Sequence, residues 1–345
     1  MPTQLTRESL ATIPLCYATC SLGKSTDSLA IRLHAISRAG FSHIEFSFPD
    51  LLAHASVSTG RDVADDDYDT LCRIAEEEIR PMIERERLKV FILQPFGKFE
   101  GWKEGSQEWD GVEGWIRIMK TVGTDTLQVG SSDAENIDTS RDKLVSDLQK
   151  LCDRLEKDGF KLAYENWCWS THAPTWKQAW QLIKAVDRDN IGYNPDSFQI
   201  AGAEWADPTQ EDGLVAAESD GERDRRFQES LDEMAATIPG DKIYFYQISD
   251  AYRVDPPLED KTIDDLRPRG RWSGAYRPFP YGEGYLPVEK VTRAVLQTGF
   301  RGIFSLEVFD GGKDGQGKDV NLAEFAQDAM LSVQKLLDSV AEDSP

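Results

Sequence analysis

Four acidic or amide side chains sit near the ends of four apolar runs late in the chain. They are Glu165 in Leu-Ala-Tyr-Glu-Asn-Trp, Asp196 in Gly-Tyr-Asn-Pro-Asp-Ser, Gln247 in Tyr-Phe-Tyr-Gln-Ile-Ser-Asp and Glu307 in Phe-Ser-Leu-Glu-Val-Phe. If those runs are β-strands, successive side chains point to opposite faces. Leu162 and Tyr164 then oppose Glu165, Tyr193 opposes Asp196, Tyr246 and Ile248 oppose Gln247, and Leu306 and Val308 oppose Glu307. All four polar groups therefore face inward. Three carboxylates gathered in a buried space cannot all ionise without a counter-charge. Pairing each with Arg or Lys is one solution, yet none of the four runs carries an Arg, or an inward Lys near its carboxylate. A divalent cation is the other. Donors that are all oxygen favour Mg²⁺ or Mn²⁺, with Co²⁺ a further candidate, over Zn²⁺, which prefers His and Cys.

The elements that would position these groups repeat along the chain. Apolar runs rich in β-branched and aromatic residues fall at 13–22, 43–48, 88–96, 126–130, 161–167, 190–197, 242–249 and 302–309. Between them, Asp27–Ala39, Arg141–Lys157, Thr175–Val186 and Pro287–Gln297 place apolar residues at helical spacing. Gly40, Gly159 and Gly299 follow three of these stretches, as expected where a helix ends in a left-handed residue. Eight strands alternating with helices predict parallel strands joined by right-handed crossovers. A closed α/β (β/α)8 TIM barrel fits that count better than an open doubly wound sheet, whose glycine-rich phosphate loop is missing after the first run. The expectation is one barrel domain over residues 1–345. Long loops at 200–221 and 250–286 would cover the face where barrel enzymes place their sites.

Composition narrows the function. Lys and Arg number 39 against 61 Asp and Glu, a net charge of −22 that repels nucleic acid and anionic membrane surfaces. No apolar run approaches the ~18 residues of a membrane span. Cys16, Cys20, Cys72, Cys152 and Cys168 are scattered and odd in number. They predict buried free thiols in a reducing, cytoplasmic setting, with neither a disulfide frame nor a zinc site.

The chain resembles the xylose-isomerase-like TIM-barrel superfamily and, within it, the 3-dehydroshikimate dehydratases of fungal quinate catabolism and their bacterial relatives. The stretches that carry the resemblance are 93–96, Tyr-Glu-Asn-Trp-Cys-Trp-Ser-Thr-His (164–172), Asp-Ser-Phe-Gln-Ile-Ala-Gly (196–202), 206–209, 247–251, 271–273, 284–288 and 305–309. The resemblance implies that Glu165, Asp196, Gln247 and Glu307 hold one divalent metal, and that 3-dehydroshikimate becomes protocatechuate and water. The chain departs from the family pattern after the second strand. It reads Glu45-Phe46-Ser47-Phe48-Pro49-Asp50-Leu51, with Phe48 where the dehydratases carry a polar His. A related lyase, or a sugar or cyclitol isomerase or epimerase, stays open as an alternative.

The remaining candidates surround that centre. His172, on the loop leaving the fifth strand, has a side chain suited to proton transfer near neutrality; Glu165 and Glu307 are the other catalytic candidates. The segment 267–277 concentrates arginines in an acidic chain, and guanidinium binds carboxylate bidentately. Arg277 is the first choice for a substrate carboxylate and Arg271 the second, so the expected partner is a small-molecule carboxylic acid. Glu45 faces inward and suits either substrate hydroxyls or an ion pair. Gln199 and Trp169 complete the substrate-binding candidates. A homo-oligomer is compatible with the sequence.

Overall fold

The computed structural model of the chain describes residues 5–103 and 109–341. Its strands are β1 (Leu15–Ala18), β2 (His43–Ser47), β3 (Lys89–Gln94), β4 (Thr126–Gly130), β5 (Lys161–Glu165), β6 (Ile191–Asn194), β7 (Phe245–Ile248), β8 (Tyr276–Arg277), β9 (Ile303–Leu306) and β10 (Phe309–Asp310). All but β8 and β10 form one parallel sheet in the order β6-β5-β4-β3-β2-β1-β9-β7. Isolated parallel bridges Tyr193↔Ile243 and Asp196↔Gln247 join the two ends of that sheet. The TIM barrel expected from the sequence is thus present, and its seam is closed by a pair of candidate ligands.

Strand alternation divides the residues as expected. Cys16, Ile92, Ala163, Phe245 and Ile303 pack together inside the barrel. The outward Leu162 and Tyr164 of β5 join a larger core with Leu148 and Leu151 of helix Arg141–Glu156 and Ile183 of helix Trp176–Val186. Each fully buried aliphatic side chain there contributes about 1.5–3 kcal/mol. Helix Trp176–Val186 starts at a capping box, in which Thr175 and Gln178 satisfy each other's backbone N–H groups. That cap fixes the end of the loop that leaves β5.

The strands are shorter than the apolar runs, because several runs extend into site loops. The two long loops also contain structure. Helix Ser197–Glu204 begins just before the first expected segment and runs into it. The second holds helix Pro268–Ala275 and β8, which pairs antiparallel with β10. That small ribbon fastens the arginine-rich segment to the chain just beyond Glu307. All five cysteines are free; Cys16, Cys152 and Cys168 are buried, whereas Cys20 and Cys72 are only half-buried. No helix among the described residues is long and apolar enough to cross a membrane.

Candidate active site

The inward positions near the C-terminal strand ends are polar around the barrel. Glu45, Gln94, Gln128, Glu165, Asn194, Gln247 and Ser305 are all buried, as are Asp196 and Glu307 just past β6 and β9. Ligand oxygens of Glu165, Asp196 and Glu307 lie within 4.8 Å of one another. Gln247 stands beside them. Its Nε2 donates to Glu45 Oε2 at 2.8 Å, and its other amide atom lies 2.7 Å from the Asn194 amide. Asp196 caps helix Ser197–Glu204, accepting from the backbone N–H of Phe198 at 2.6 Å. Glu165 is fixed through Oε2 by Trp167 Nε1 at 2.9 Å and by Gln128 Nε2. The Trp167 ring reaches that position because residue 130 is glycine: a Cβ there would meet the indole at 2.0 Å. Gln128 and Asn194 are functional positions that the sequence reading does not assign, and Trp167 is one that it leaves open between wall packing and substrate stacking. A polar residue on the inward face of β4 or β6 was the available signal for the first two.

Arg277 requires a correction. It is 1% exposed and lies inside the cluster, so it does not stand ready for a substrate carboxylate. Its Nη2 donates to Asp196 Oδ2 at 2.6 Å, Nη1 to Glu307 Oε2 at 3.1 Å, and Nε to Ser249 Oγ at 2.9 Å. The guanidinium lies between the rings of Phe198 and Phe309, 4.7 and 5.4 Å from their centroids. The expectation that no cation pairs with the carboxylates is corrected with it. The cation comes from β8, outside the four strands that carry the carboxylates and Gln247.

One guanidinium does not balance the site. Burial, reinforced by the charges of Glu307 and Asp196, holds the Glu165 carboxyl well above its ordinary value. Burial also raises Glu307, to about 7, even with Arg277 opposing the shift. Glu45 is raised as well, by burial first and then by Glu307. Glu165 Oε1 and Glu45 Oε1 are buried without a hydrogen-bond partner. A centre this short of positive charge, with bare carboxylate oxygens converging, fits a hard divalent cation. Glu165, Asp196 and Glu307 would hold it, with Gln247 adjacent.

The other candidates scatter. His172 does not overhang the cluster. Its side chain is 3% exposed, with Nε2 3.0 Å from Glu100 Oε1 and 3.2 Å from the hydroxyl of Tyr164, the outward neighbour of Glu165 on β5. We expect His172→Ala to cost about 1–3 kcal/mol of stability, since it strips a partner from buried Glu100. Turnover of the folded, metal-loaded variant should stay within about tenfold of wild type, below the usual effect of removing a positioned acid or base. A loss of kcat beyond a hundredfold at unchanged stability would return His172 to the proton-transfer role. Arg271 is likewise corrected: its Nη2 donates to the carbonyls of Glu259 and Lys261 at 2.6 and 2.9 Å, stapling its own loop. Gln199 Oε1 accepts from the Cys168 backbone N–H at 2.9 Å. Trp169 stacks on Trp167 with centroids 5.1 Å apart and donates to Asp133. Both hold the β5 loop. Glu45 forms no ion pair among the described residues and sits beneath Gln247.

Residues 33–331 match the family described as xylose isomerase-like TIM barrel. The chain is 30% identical, over 98% of its length, to the 3-dehydroshikimate dehydratase of Neurospora crassa, and covers 94% of that protein. Among solved structures, a xylose isomerase-like TIM barrel/4-hydroxyphenylpyruvate dioxygenase fusion protein superposes with a TM-score of 0.70 at 26% identity, over 95% of this chain and 43% of that one. The IolI protein, solved with a bound zinc atom, superposes with a TM-score of 0.65 at 20% identity, over 96% of this chain and all of that one.

Proposed function

The chain belongs to the xylose isomerase-like TIM barrel family and is an enzyme of the dehydratase type. From that premise we propose that it is a divalent-metal-dependent carbon–oxygen lyase. Its substrate is 3-dehydroshikimate or a closely related cyclic hydroxy-keto acid, and its product an aromatic acid such as protocatechuate. The observation that carries the chemistry is the buried Glu165–Asp196–Glu307 cluster, with convergent oxygens and too little positive charge. Glu165, Asp196 and Glu307, with Gln247 adjacent, would hold Mg²⁺, Mn²⁺ or Co²⁺, which would supply Lewis-acid stabilisation of the negative charge that develops when the C–H bond beside a ketone breaks. Glu165 accepts the C–H proton on a carboxylate lone pair that the cation leaves free. Trp167 and Gln128 hold Glu165 Oε2 still. Glu307 gives a proton to the β-hydroxyl, which leaves as water when its C–O bond breaks, and the proton that Glu165 took from carbon replaces it, so the two carboxyls together lose and gain one proton per turnover. The ring hydrogens that remain redistribute as it becomes aromatic.

The sugar or cyclitol isomerase or epimerase reading keeps one observation in its favour. Arg277 is engaged by Asp196 and Glu307 instead of facing a substrate carboxylate. A substrate panel separates the two. The metal-loaded protein should convert 3-dehydroshikimate to a product with aromatic ultraviolet absorbance and lose this activity on exhaustive chelation. Efficient turnover of a neutral ketose, with the cyclic acids ignored, would replace the lyase reading. Full activity after chelation would end the metal-dependent one. A reducing, cytoplasmic setting agrees with five free thiols.

A further inference from the structure

Behind Glu165 lies a second buried acid that the chemistry above does not use. We propose that Glu100 is a positioning residue for Glu165: it ties the loops after β3, β4 and β5 into one frame, and that frame holds the indole that orients the Glu165 carboxylate. The inference deepens the reading above and rests on its assignment of Glu165 to the centre.

Glu100 lies in the loop after β3 and is fully buried. The next residue, Gly101, donates its N–H to Asp147 Oδ2 at 2.9 Å, and Asp147 is held in turn by Lys143, so helix Arg141–Glu156 anchors the segment from behind. One carboxylate oxygen then gathers three separate parts of the chain. Glu100 Oε1 accepts from the Ser132 N–H at 3.0 Å, in the loop after β4, and from the hydroxyl of Tyr164 at 2.8 Å, on β5. It also meets His172 Nε2 at 3.0 Å, in the loop after β5. Oε2 is buried without a hydrogen-bond partner. A buried acid with a bare oxygen is costly to keep. What this one contributes is the convergence of three elements on a single atom.

The frame reaches Glu165 in one further step. Ser131, beside Ser132, donates its N–H to Glu165 O at 2.8 Å, and its Oγ accepts from the Trp167 N–H at 2.8 Å. The Thr171 N–H reaches Ser132 O at 2.9 Å and closes the loop after β5 on the same turn. Trp167 Nε1 then donates to Glu165 Oε2 at 2.9 Å. Each part that Glu100 gathers supplies one wall of the seat in which that indole lies. The loop after β3 supplies Gly97, whose Cβ, if present, would stand 3.1 Å from the ring, and β4 supplies Gly130. The loop after β5 supplies Trp169, stacked on Trp167 with the planes 20° apart. A shift of about 1 Å in this seat would carry the Glu165 carboxylate out of line with the Asp196 and Glu307 oxygens, a misplacement that can slow an oriented reaction by about 10²-fold.

Two variants of the full chain separate geometry from charge and from packing. Glu100→Gln keeps the length and the accepting oxygen; Glu100→Asp keeps the charge but draws the oxygen back by one methylene. Asn190→Ala is the control for simple destabilisation, because Asn190 donates to Cys152 O and Phe160 O at 2.9 and 3.0 Å at the opposite end of the barrel. Three quantities are measured: Mn²⁺ affinity, kcat and KM on 3-dehydroshikimate, and the circular-dichroism exciton signal of the Trp167–Trp169 pair, taken as the part lost in Trp169→Phe. Glu100→Asp should weaken the exciton signal and lower Mn²⁺ affinity about tenfold. It should lower kcat about ten- to a hundredfold while KM stays within about threefold. Glu100→Gln should keep the signal and recover most of kcat and of the affinity. Asn190→Ala should melt earlier and leave all three unchanged. If wild type turns over the acid and Glu100→Asp matches it in all three quantities, or Glu100→Gln is impaired as badly as Glu100→Asp, the inference is overturned with the dehydratase reading intact. If wild type turns over no acid, yet the signal and Mn²⁺ affinity fall in Glu100→Asp and hold in Glu100→Gln, the dehydratase reading fails and the positioning role stands.

Discussion

Replacing Glu307 by Gln should lower turnover of the metal-loaded protein by about 10³-fold, the range expected when a group that both moves a proton and stabilises developing charge is removed. The substitution conserves size, so the packing around β9 survives. What it removes is one of three converging carboxylates, the negative partner of Arg277, and a carboxyl raised to about 7. A second signature needs no substrate. Burial raises this carboxyl from 4.5 to about 7. Between those values the folded, metal-free protein keeps a proton that the unfolded chain has released. Its stability must therefore fall as pH rises through that window. The whole effect is on the order of 3 kcal/mol. Metal binding competes with that proton, so affinity should climb over the same window. In Glu307→Gln this part of the stability profile should vanish and metal affinity should drop. Measuring urea unfolding from pH 4.5 to 7.5, with and without Mn²⁺, checks both. A variant keeping more than a tenth of wild-type turnover, or an unaltered metal affinity, would remove Glu307 from the centre.

Arg277→Ala should act first on stability, by about 3–5 kcal/mol in the metal-free protein. Asp196 and Glu307 would be left buried without the guanidinium that each now contacts. Their carboxyls would be driven further up, and Phe198 and Phe309 would lose the group packed between them. Divalent metal should restore part of the loss, because it supplies charge to the same oxygens. The variant's melting temperature should thus respond to Mn²⁺ more strongly than that of wild type. Arg277→Lys should recover only part of the stability, since one ammonium cannot reach Asp196, Glu307 and Ser249 together. A fully stable Arg277→Ala protein with only a raised KM would instead put Arg277 back against the substrate carboxylate.

These expectations separate what is local in the chain from what is not. A period of two is a property of any strand, so Glu165, Asp196, Gln247 and Glu307 could be assigned to one face from their neighbours alone, and the barrel brings those faces together. The same rule reaches Gln128 and Asn194, whose amides share those inward faces. Helix ends marked by Gly40 and the Thr175–Gln178 pair are local too, because a cap depends on a few adjacent residues. Loop residues obey no such period. His172 was placed by its distance along the chain from Glu165, but the turn after β5 carries it behind the strand to Glu100. Arg277 was judged by the composition of its segment, but the β8–β10 ribbon brings it to carboxylates 81 and 30 residues away. The sequence by itself determined the barrel and its polar interior, since periodicity suffices for both. Only the tertiary structure decided which cation enters that interior, because a long side chain on a loop is positioned by whatever packs around it.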